Sequence, residues 1–271
     1  MVQNFPYANQ SSLYVSGLLI TYVTTTSISI GAGLARDSTN TIDILVGGQN
    51  YNGVSITPPL TITPIVGVTT INGALGLDTG TFAASSGYYI HLIAASSGLF
   101  PTSALISLSA TAPTLPFGYD AFRMIGWVRT LATAIFAPFD NVGTGQDIYF
   151  QYRTPIIMTA GVATAATTVG LLDTTGAVLS VPANNLKRVN LQVIYTPTTA
   201  ANILSLSGFQ TGVTITAANG QVIQTGYVSG QAQSVNAELY CGNSAGVPSI
   251  NYIIGTAGTQ TTHINGYLMS L

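Results

Sequence analysis

Apolar and polar residues alternate along several short segments of the chain, as they do in β-strands with one buried face. No long segment repeats apolar residues at the spacing of an amphipathic helix, and Thr, Val, Ile and Gly are frequent throughout. Three segments alternate most clearly, with the inward sets Val189, Leu191, Val193 and Tyr195; Val235, Ala237, Leu239 and Cys241; and Ile106, Leu108 and Ala110. The pattern predicts an all-β chain.

Turn signals separate these segments. Asn-Gly pairs, which adopt the left-handed conformation easily, occur at Asn52-Gly53, Asn72-Gly73, Asn219-Gly220 and Asn265-Gly266. Frequent turns without intervening helices favour antiparallel pairing over a parallel sheet. A stretch of small residues from Thr159 to Gly170 indicates a boundary near residues 155–170. We predict two antiparallel β-sandwich domains, jelly-roll-like in architecture, over residues 1–155 and 156–271.

Charged residues are scarce, at 5% of the chain, against roughly 25% in ordinary soluble domains. A surface made of Thr, Ser, Asn, Gln and Gly provides little charge repulsion, so we expect neighbouring subunits to cover much of it. The net charge is −2 and the single adjacent basic pair is Lys187-Arg188, which argues against nucleic acid as a partner. Polar residues interrupt each apolar run before the ~18 residues that a spanning helix needs, so we expect no membrane insertion.

Groups that could carry catalysis are few. The chain has two histidines; His91 lies in a predicted strand and His263 beside a predicted turn, and both are expected to be structural or interface residues. The aspartates are scattered in turn-like contexts where Asp caps the backbone, although two that converged in space would suit a polysaccharide-cleaving enzyme. Cys241 is the one cysteine, and no metal-binding loop is present in the sequence. We predict a non-enzymatic protein without cofactor or metal.

Arginines and aromatic residues give the candidate contacts with a partner or ligand. In the segment 123–129, alternation would place Arg123, Trp127 and Arg129 on one face, either as a sheet face paired with aspartates or as a contact between subunits. Aromatic residues in predicted loops could fill a core, contact a neighbour or stack on a sugar. The candidate residues are Phe5, Tyr7, Phe117, Tyr119, Phe122, Arg123, Trp127, Arg129, Phe136 and Phe139.

An ordered series of segments over residues 15–153 resembles a pattern shared by virion structural proteins of tailed bacteriophages and prophages. The segments are Ile28–Asn40, Gly76–Gly80, Tyr88–Ile93, Leu108–Pro116 with Gly118-Tyr119, and Arg123–Gly126. The resemblance implies a protein that is made in the bacterial cytoplasm and assembled on the capsid or tail, and it carries no catalytic residues. It does not specify the part of the virion. We favour a decoration or fibre protein on the exterior of the head or tail, which forms a homotrimer and contacts major capsid or tail proteins.

Two other functions stay open at this level. The loop aromatics could form a receptor- or glycan-binding module at a fibre tip, with a host surface glycan as partner. A tail depolymerase is the third reading, since the scattered aspartates could meet in the folded chain.

Overall fold

The computed structural model describes residues 14–47, 60–63, 73–143, 146–158, 167–172, 179–198, 204–208, 221–225, 228–245, 247–254 and 258–271. These residues form β-strands joined by turns, and none of them is helical. The predicted all-β fold class is therefore confirmed, while the arrangement as two jelly-roll-like sandwiches stays a prediction. Within the same ranges, no helix has the length and apolar character needed to cross a membrane.

The described residues divide into two compact units. The first contains those up to Tyr149 together with Ser270 and Leu271, and the second contains those from Phe150 to Met269. The predicted domains, 1–155 and 156–271, stay a prediction, because a division by contacts does not show that either part folds alone.

The first unit consists of short antiparallel sheets. Its strands are β1 (Val15–Gly17), β2 (Ile20–Thr24), β3 (Ser27–Ile30), β4 (Gly33–Arg36), β5 (Asp43–Val46), β6 (Leu60–Ile62), β7 (Gly87–Ala94), β8 (Ser103–Ser107), β9 (Ala121–Arg129) and β10 (Phe139–Val142). Three three-stranded sheets have the orders β1-β4-β5, β2-β3-β6 and β8-β7-β9.

The second unit contains the longest strands. They are β11 (Asp147–Ile157), whose first residues belong to the first unit, then β12 (Thr167–Gly170), β13 (Leu186–Pro197), β14 (Leu204–Gly208), β15 (Val222–Gln224), β16 (Gln233–Tyr240), β17 (Gly242–Ser244), β18 (Val247–Ile254) and β19 (Gly258–Ser270). One sheet has the order β11-β19-β13-β16, with β10 paired to β11; the other has the order β12-β18-β14-β15, with β17 paired to β18.

The two strands predicted most clearly from alternation fold as expected. Val189, Leu191, Val193 and Tyr195 of β13 are fully buried, and the residues between them are half-buried. In β16 the buried and exposed residues alternate from Val235 to Tyr240. Strict alternation therefore predicted both the strands and their inward faces.

The middle strand of the β8-β7-β9 sheet is buried on both faces. Every residue from Tyr88 to Ala94 in β7 is buried. This follows from the sequence Tyr-Tyr-Ile-His-Leu-Ile, which gives both sides of the strand bulky, weakly polar side chains. The adjacent strand β8 is also buried along its whole length, but it ends at Ser107 and leaves Leu108 exposed. The prediction that Leu108 faces inward is wrong, because the strand ends before it.

A β-bulge in β9 overturns the predicted single face through Arg123, Trp127 and Arg129. Met124 pairs with His91 and Gly126 pairs with Ile90, so Ile125 is an extra residue without a partner of its own. Arg123 lies opposite Leu92, whereas Trp127 lies opposite Tyr89. Since Leu92 and Tyr89 are three residues apart on a regular strand, they point to opposite faces. Trp127 and Arg129 therefore share one face of the sheet, and Arg123 lies on the other.

A second bulge replaces the turn predicted at Asn265-Gly266. These residues lie inside β19, where Gly266 pairs with Asn190 and Ile264 pairs with Leu191. Asn265 is the extra residue, and its amide Nδ2 lies 3.4 Å from Oδ1 of Asn190. Pairing with β13 on both sides of Asn265 keeps the chain extended, so the local turn preference does not decide the structure here.

Candidate functional site

His91, one of the two histidines considered for catalysis, is a core residue. It is fully buried, its Nε2 lies 2.9 Å from the carbonyl oxygen of Ser109, and its ring meets that of Phe122 edge to face at 5.7 Å. Burial lowers the pKa of the imidazole to about 4, because a charged ring would be poorly solvated there. The ring is therefore neutral near pH 7 and is held by packing.

Two aspartates bind backbone amides of turns. The Asp37 carboxylate accepts hydrogen bonds from the backbone N–H groups of Thr39, Thr41 and Ile42 at 3.0, 2.6 and 2.7 Å. Asp78 accepts from the N–H groups of Thr79 and Thr114 at 2.7 and 2.9 Å. These contacts are the capping role that short acidic side chains have in turns.

The described ranges contain no group of three or more His, Cys, Asp or Glu side chains placed to hold a metal ion. Asp37 accepts its hydrogen bonds within its own turn, whereas Asp78 and Asp120 also accept from Thr114 and Ser96 in other segments of the chain. The arrangement of the acidic residues fits backbone capping.

The three β9 candidates lie inside the first unit. Trp127 is almost fully buried beside Gly87, and Arg129 is buried with its Nε donating to the Thr130 carbonyl oxygen at 3.3 Å. Arg123 is also buried; burial lowers the pKa of its guanidinium, and the negative charge of Asp37 acts in the opposite direction. Their own chain covers all three side chains, which places them in a sheet interior.

Other aromatic candidates also pack within the chain. Phe136 is fully buried with its ring 5.2 Å from that of Phe82, and Phe139 is buried at 6.2 Å from Tyr22. Phe122 is half-buried against His91. The remaining pair, Phe5 and Tyr7, lies outside the described residues.

Phe117 and Tyr119 belong to an exposed group of side chains that we call the aromatic loop cluster, formed by Leu99, Phe100, Phe117 and Tyr119. Phe117 is 89% exposed and Leu99 is 82% exposed. The ring of Phe100 connects the cluster, because it lies 6.4 Å from that of Phe117 and 5.7 Å from that of Tyr119. Two loops, after β7 and before β9, thus bring these three rings together, and the exposed Leu99 directly precedes Phe100 in the chain.

Hydrogen bonds hold the two loops together at the base of the aromatic loop cluster. The Asp120 carboxylate accepts from the Ser96 backbone N–H at 2.7 Å and also from the Ser96 hydroxyl. The Tyr119 hydroxyl donates to the carbonyl oxygen of Pro101 at 3.0 Å. These bonds fix the neighbouring loops, so the conformational entropy lost on covering the cluster is reduced.

Gly118 allows the rings to approach one another. Its φ is +87°, and a Cβ atom at this position would lie 2.2 Å from Cε2 of Phe100. Glycine is therefore required here both by the backbone conformation and by the ring that lies against it. The close contact sets Phe100 between Phe117 and Tyr119.

The cluster is suited to contact an apolar surface. Its rings and aliphatic carbons carry no charge, and the nearby Asp120 carboxylate is already hydrogen-bonded to Ser96. Exposed large apolar side chains that are fixed in place favour association, because burying them removes apolar area from water without much ordering. Leu99 and Phe100 were not among the residues predicted from the sequence. Ser-Ser-Gly before them and Pro101 after them nevertheless indicate a loop, in which both side chains are expected to be exposed.

No protein-family model and no curated protein matches the chain. Among solved structures, an exo-β-1,3-galactanase from Phanerochaete chrysosporium with galactose is 10% identical, with 89% of this chain and 66% of that chain covered and a TM-score of 0.22. The T13 IBDV viral particle is 11% identical, with 95% and 68% covered and a TM-score of 0.19. This chain thus spans about two thirds of the length of either one, and similarities this low assign neither a family nor a function.

Proposed function

We propose that the chain is a non-enzymatic structural subunit of a virion of the tailed-bacteriophage type, which decorates the particle or forms a fibre on it. The observation that carries the proposal is the aromatic loop cluster, where Phe117 and Leu99 are 89% and 82% exposed on a chain with 5% charged residues. Such a patch is suited to be covered by another subunit. Assembly in the bacterial cytoplasm follows from the same proposal.

The energetics of the cluster support association. Burying one Phe or Leu side chain contributes about 1.5–3 kcal/mol, so covering Phe117 and Leu99 together provides a substantial part of a subunit contact. Fixed aromatic side chains at the centre of an interface are typical of the residues that dominate binding. A homotrimer, with major capsid or tail proteins as further partners, is the assembly that we propose.

The acidic and basic side chains support a structural role over an enzymatic one. Asp37 and Asp78 accept hydrogen bonds from turn amides, Asp120 joins two loops, and His91 is buried and neutral. Catalysis needs groups that reach a substrate and are poised to exchange a proton. The side chains named here are used to fix loops and to fill the core.

The oligomeric state of the purified full chain tests the proposal. We expect sedimentation velocity to show a homotrimer for the wild type and a shift toward monomer for a Leu99→Ala/Phe117→Ala variant with an unchanged circular dichroism spectrum. Val142→Ala is the matched control, because Val142 is also an exposed apolar residue of the first unit but lies outside the cluster. A wild type that stays monomeric at micromolar concentration, or a variant that associates like the wild type, contradicts the proposal.

A receptor- or glycan-binding module is the second candidate function. It is favoured by a different surface, the outer face of β13 and β16, where the amides of Asn190, Gln192 and Asn236 lie beside the Arg188–Glu238 ion pair.

A further inference from the structure

We infer that the outer face of strands β13, β16 and β19 in the second unit is a binding surface for an uncharged polysaccharide. This inference rests on the second candidate function above and deepens it by naming the class of ligand; it does not depend on the structural role, because its strands contribute nothing to the aromatic loop cluster. We call the surface the amide face and define it by Arg188, Asn190, Gln192, Asn236, Tyr240 and His263.

The strand register brings these residues into rows across the sheet. Gln192 pairs with Asn236 of β16 on one side and with His263 of β19 on the other. Because directly paired residues share a face, the three side chains form one row of hydrogen-bonding groups about 4.8 Å apart from strand to strand. The strand β13 is therefore the middle of this polar row, and the next outward residue of β13, Ile194, is apolar and bounds the surface on that side.

The next rows along β13 continue the surface. Asn190 pairs with Glu238, and the Asn190 side-chain oxygen lies 3.4 Å from the Asn265 amide. Inward residues of the same strands are buried, so the outward ones can only face away from the core. The result is a surface of neighbouring primary amides, which each offer two donors and an acceptor.

One end of the amide face carries an aromatic ring that is held in place. The guanidinium carbon of Arg188 lies 4.4 Å from the centroid of the Tyr240 ring, and Nη1 of Arg188 lies 3.4 Å from Oε1 of Glu238. Tyr240 is nevertheless 56% exposed. An aromatic ring beside amides combines an apolar platform with fixed hydrogen-bonding groups, which is the chemistry that a sugar ring with its hydroxyl groups matches.

The charge of the amide face argues for a neutral ligand. Binding to nucleic acid depends on several cations that contact phosphates, whereas Arg188 here already lies beside Glu238. The centres of protein interfaces are depleted in charged side chains such as Glu, whereas Glu238 lies within the rows of this face. Because Arg188 and Glu238 pair with each other, the remaining amides of the face fit a ligand that is itself polar and uncharged.

Retention of the full-length protein on glycans tests the inference. The probe is an array of neutral bacterial surface oligosaccharides, with positive glycans confirmed by affinity electrophoresis in gels that contain the corresponding polysaccharide. We expect Gln192→Ala/Asn236→Ala to bind about tenfold more weakly, because each lost hydrogen bond to the ligand changes affinity by several-fold. Added salt should leave retention unchanged, because a neutral ligand is not held by charge.

Controls separate this inference from the proposed structural function. Gln231→Ala, which removes an exposed amide in the segment before β16, and Phe117→Ala, in the aromatic loop cluster, should retain glycan binding. Circular dichroism and the unfolding midpoint establish that each variant is folded. If the folded wild type is retained on none of the glycans, if the double variant binds as tightly as the wild type, or if retention disappears with salt, the inference is overturned whether or not the chain forms a trimer.

Discussion

The indole ring of Trp127 lies against the backbone of Gly87, in the space that any other side chain at position 87 would need. A Cβ atom on Gly87 would lie 2.3 Å from Cζ2 of Trp127. Trp127 pairs with Tyr89, while Gly87 pairs with Arg129, so the indole crosses the sheet diagonally from β9 to β7. The absence of a side chain at Gly87 is therefore what allows the one tryptophan of the chain to be buried.

Gly87→Ala should destabilise the protein by about 3 kcal/mol, because the buried indole must move or distort its surroundings. Guanidinium unfolding followed by tryptophan fluorescence measures the change directly at the affected ring. Gly76→Ala is the matched control, since its nearest neighbour is 3.9 Å from the added Cβ and its φ is not in the left-handed region. The control should change the free energy of unfolding by less than about 0.5 kcal/mol; equal effects of the two substitutions would contradict the packing argument.

Gly118→Ala should disturb the aromatic loop cluster more than a comparable change elsewhere. Gly118 and Gly80 have similar φ values, +87° and +83°, but only Gly118 has a ring against it; no atom lies within 4 Å of a Cβ on Gly80. Both substitutions should cost about 1 kcal/mol of stability from backbone strain. Gly118→Ala should in addition weaken self-association in sedimentation experiments, and Gly80→Ala should not. Identical association of both variants would show that the position of Phe100 is unimportant.

Acid should destabilise the fold through His91. Its pKa falls from an ordinary 6.5 to about 4 in the folded protein because of burial, so between these values the unfolded chain binds the proton more tightly. Stability is therefore complete above pH 6.5 and decreases as the pH falls toward 4. At about 1.4 kcal/mol for each pH unit, the loss amounts to about 3 kcal/mol.

The variant His91→Gln isolates this effect, because glutamine does not titrate and can still donate a hydrogen bond toward Ser109. Urea unfolding across pH 4 to 7 should show a steeper loss of stability in the wild type than in the variant. Parallel curves for the two proteins would mean that His91 does not contribute to the pH dependence.

Asp37→Ala should cost about 3 kcal/mol of stability, because a buried carboxylate that accepts charge-assisted hydrogen bonds from Thr39, Thr41 and Ile42 is removed. Burial raises the pKa of Asp37, and the hydrogen bonds outweigh that effect, so the pKa is lowered from its ordinary 3.8. The stabilisation by ionised Asp37 is thus present above pH 3.8 and lost as the pH falls further. The thermal unfolding midpoint of Asp37→Ala is compared with that of the control Asp140→Ala, which removes an exposed aspartate. Similar midpoints for the two variants would contradict the capping role.

Strands were predictable where one face is buried and the other is solvated. In β13 and β16 the apolar residues recur at every second position, so the sequence determined both the strand and its inward face. The bulges at Ile125 and Asn265 were not predictable in this way, because each depends on the partner strand across the sheet. Asn265-Gly266 has the composition of a turn, and only pairing with β13 makes it part of a strand.

The candidate site was predictable in part. Phe117 and Tyr119 were selected as loop aromatics, but Phe100, which lies between their rings, comes from a loop that is distant in sequence. Trp127 and Arg129 were selected for their residue type, which indicates an interface as readily as a core. Burial within the folded chain, which a single sequence does not show, decided between these two possibilities.

Ile125, the extra residue of the bulge, is the position at which β9 can lose one residue without changing its faces. Loss of one residue from a regular strand turns every following side chain to the opposite side. Loss of Ile125 would instead give regular pairing, with Met124 still opposite His91 and Trp127 still opposite Tyr89. Distant relatives could therefore have a one-residue gap at this point of an alignment and keep the tryptophan over the glycine, whereas a gap of one residue within β13 would exchange its inside and its outside.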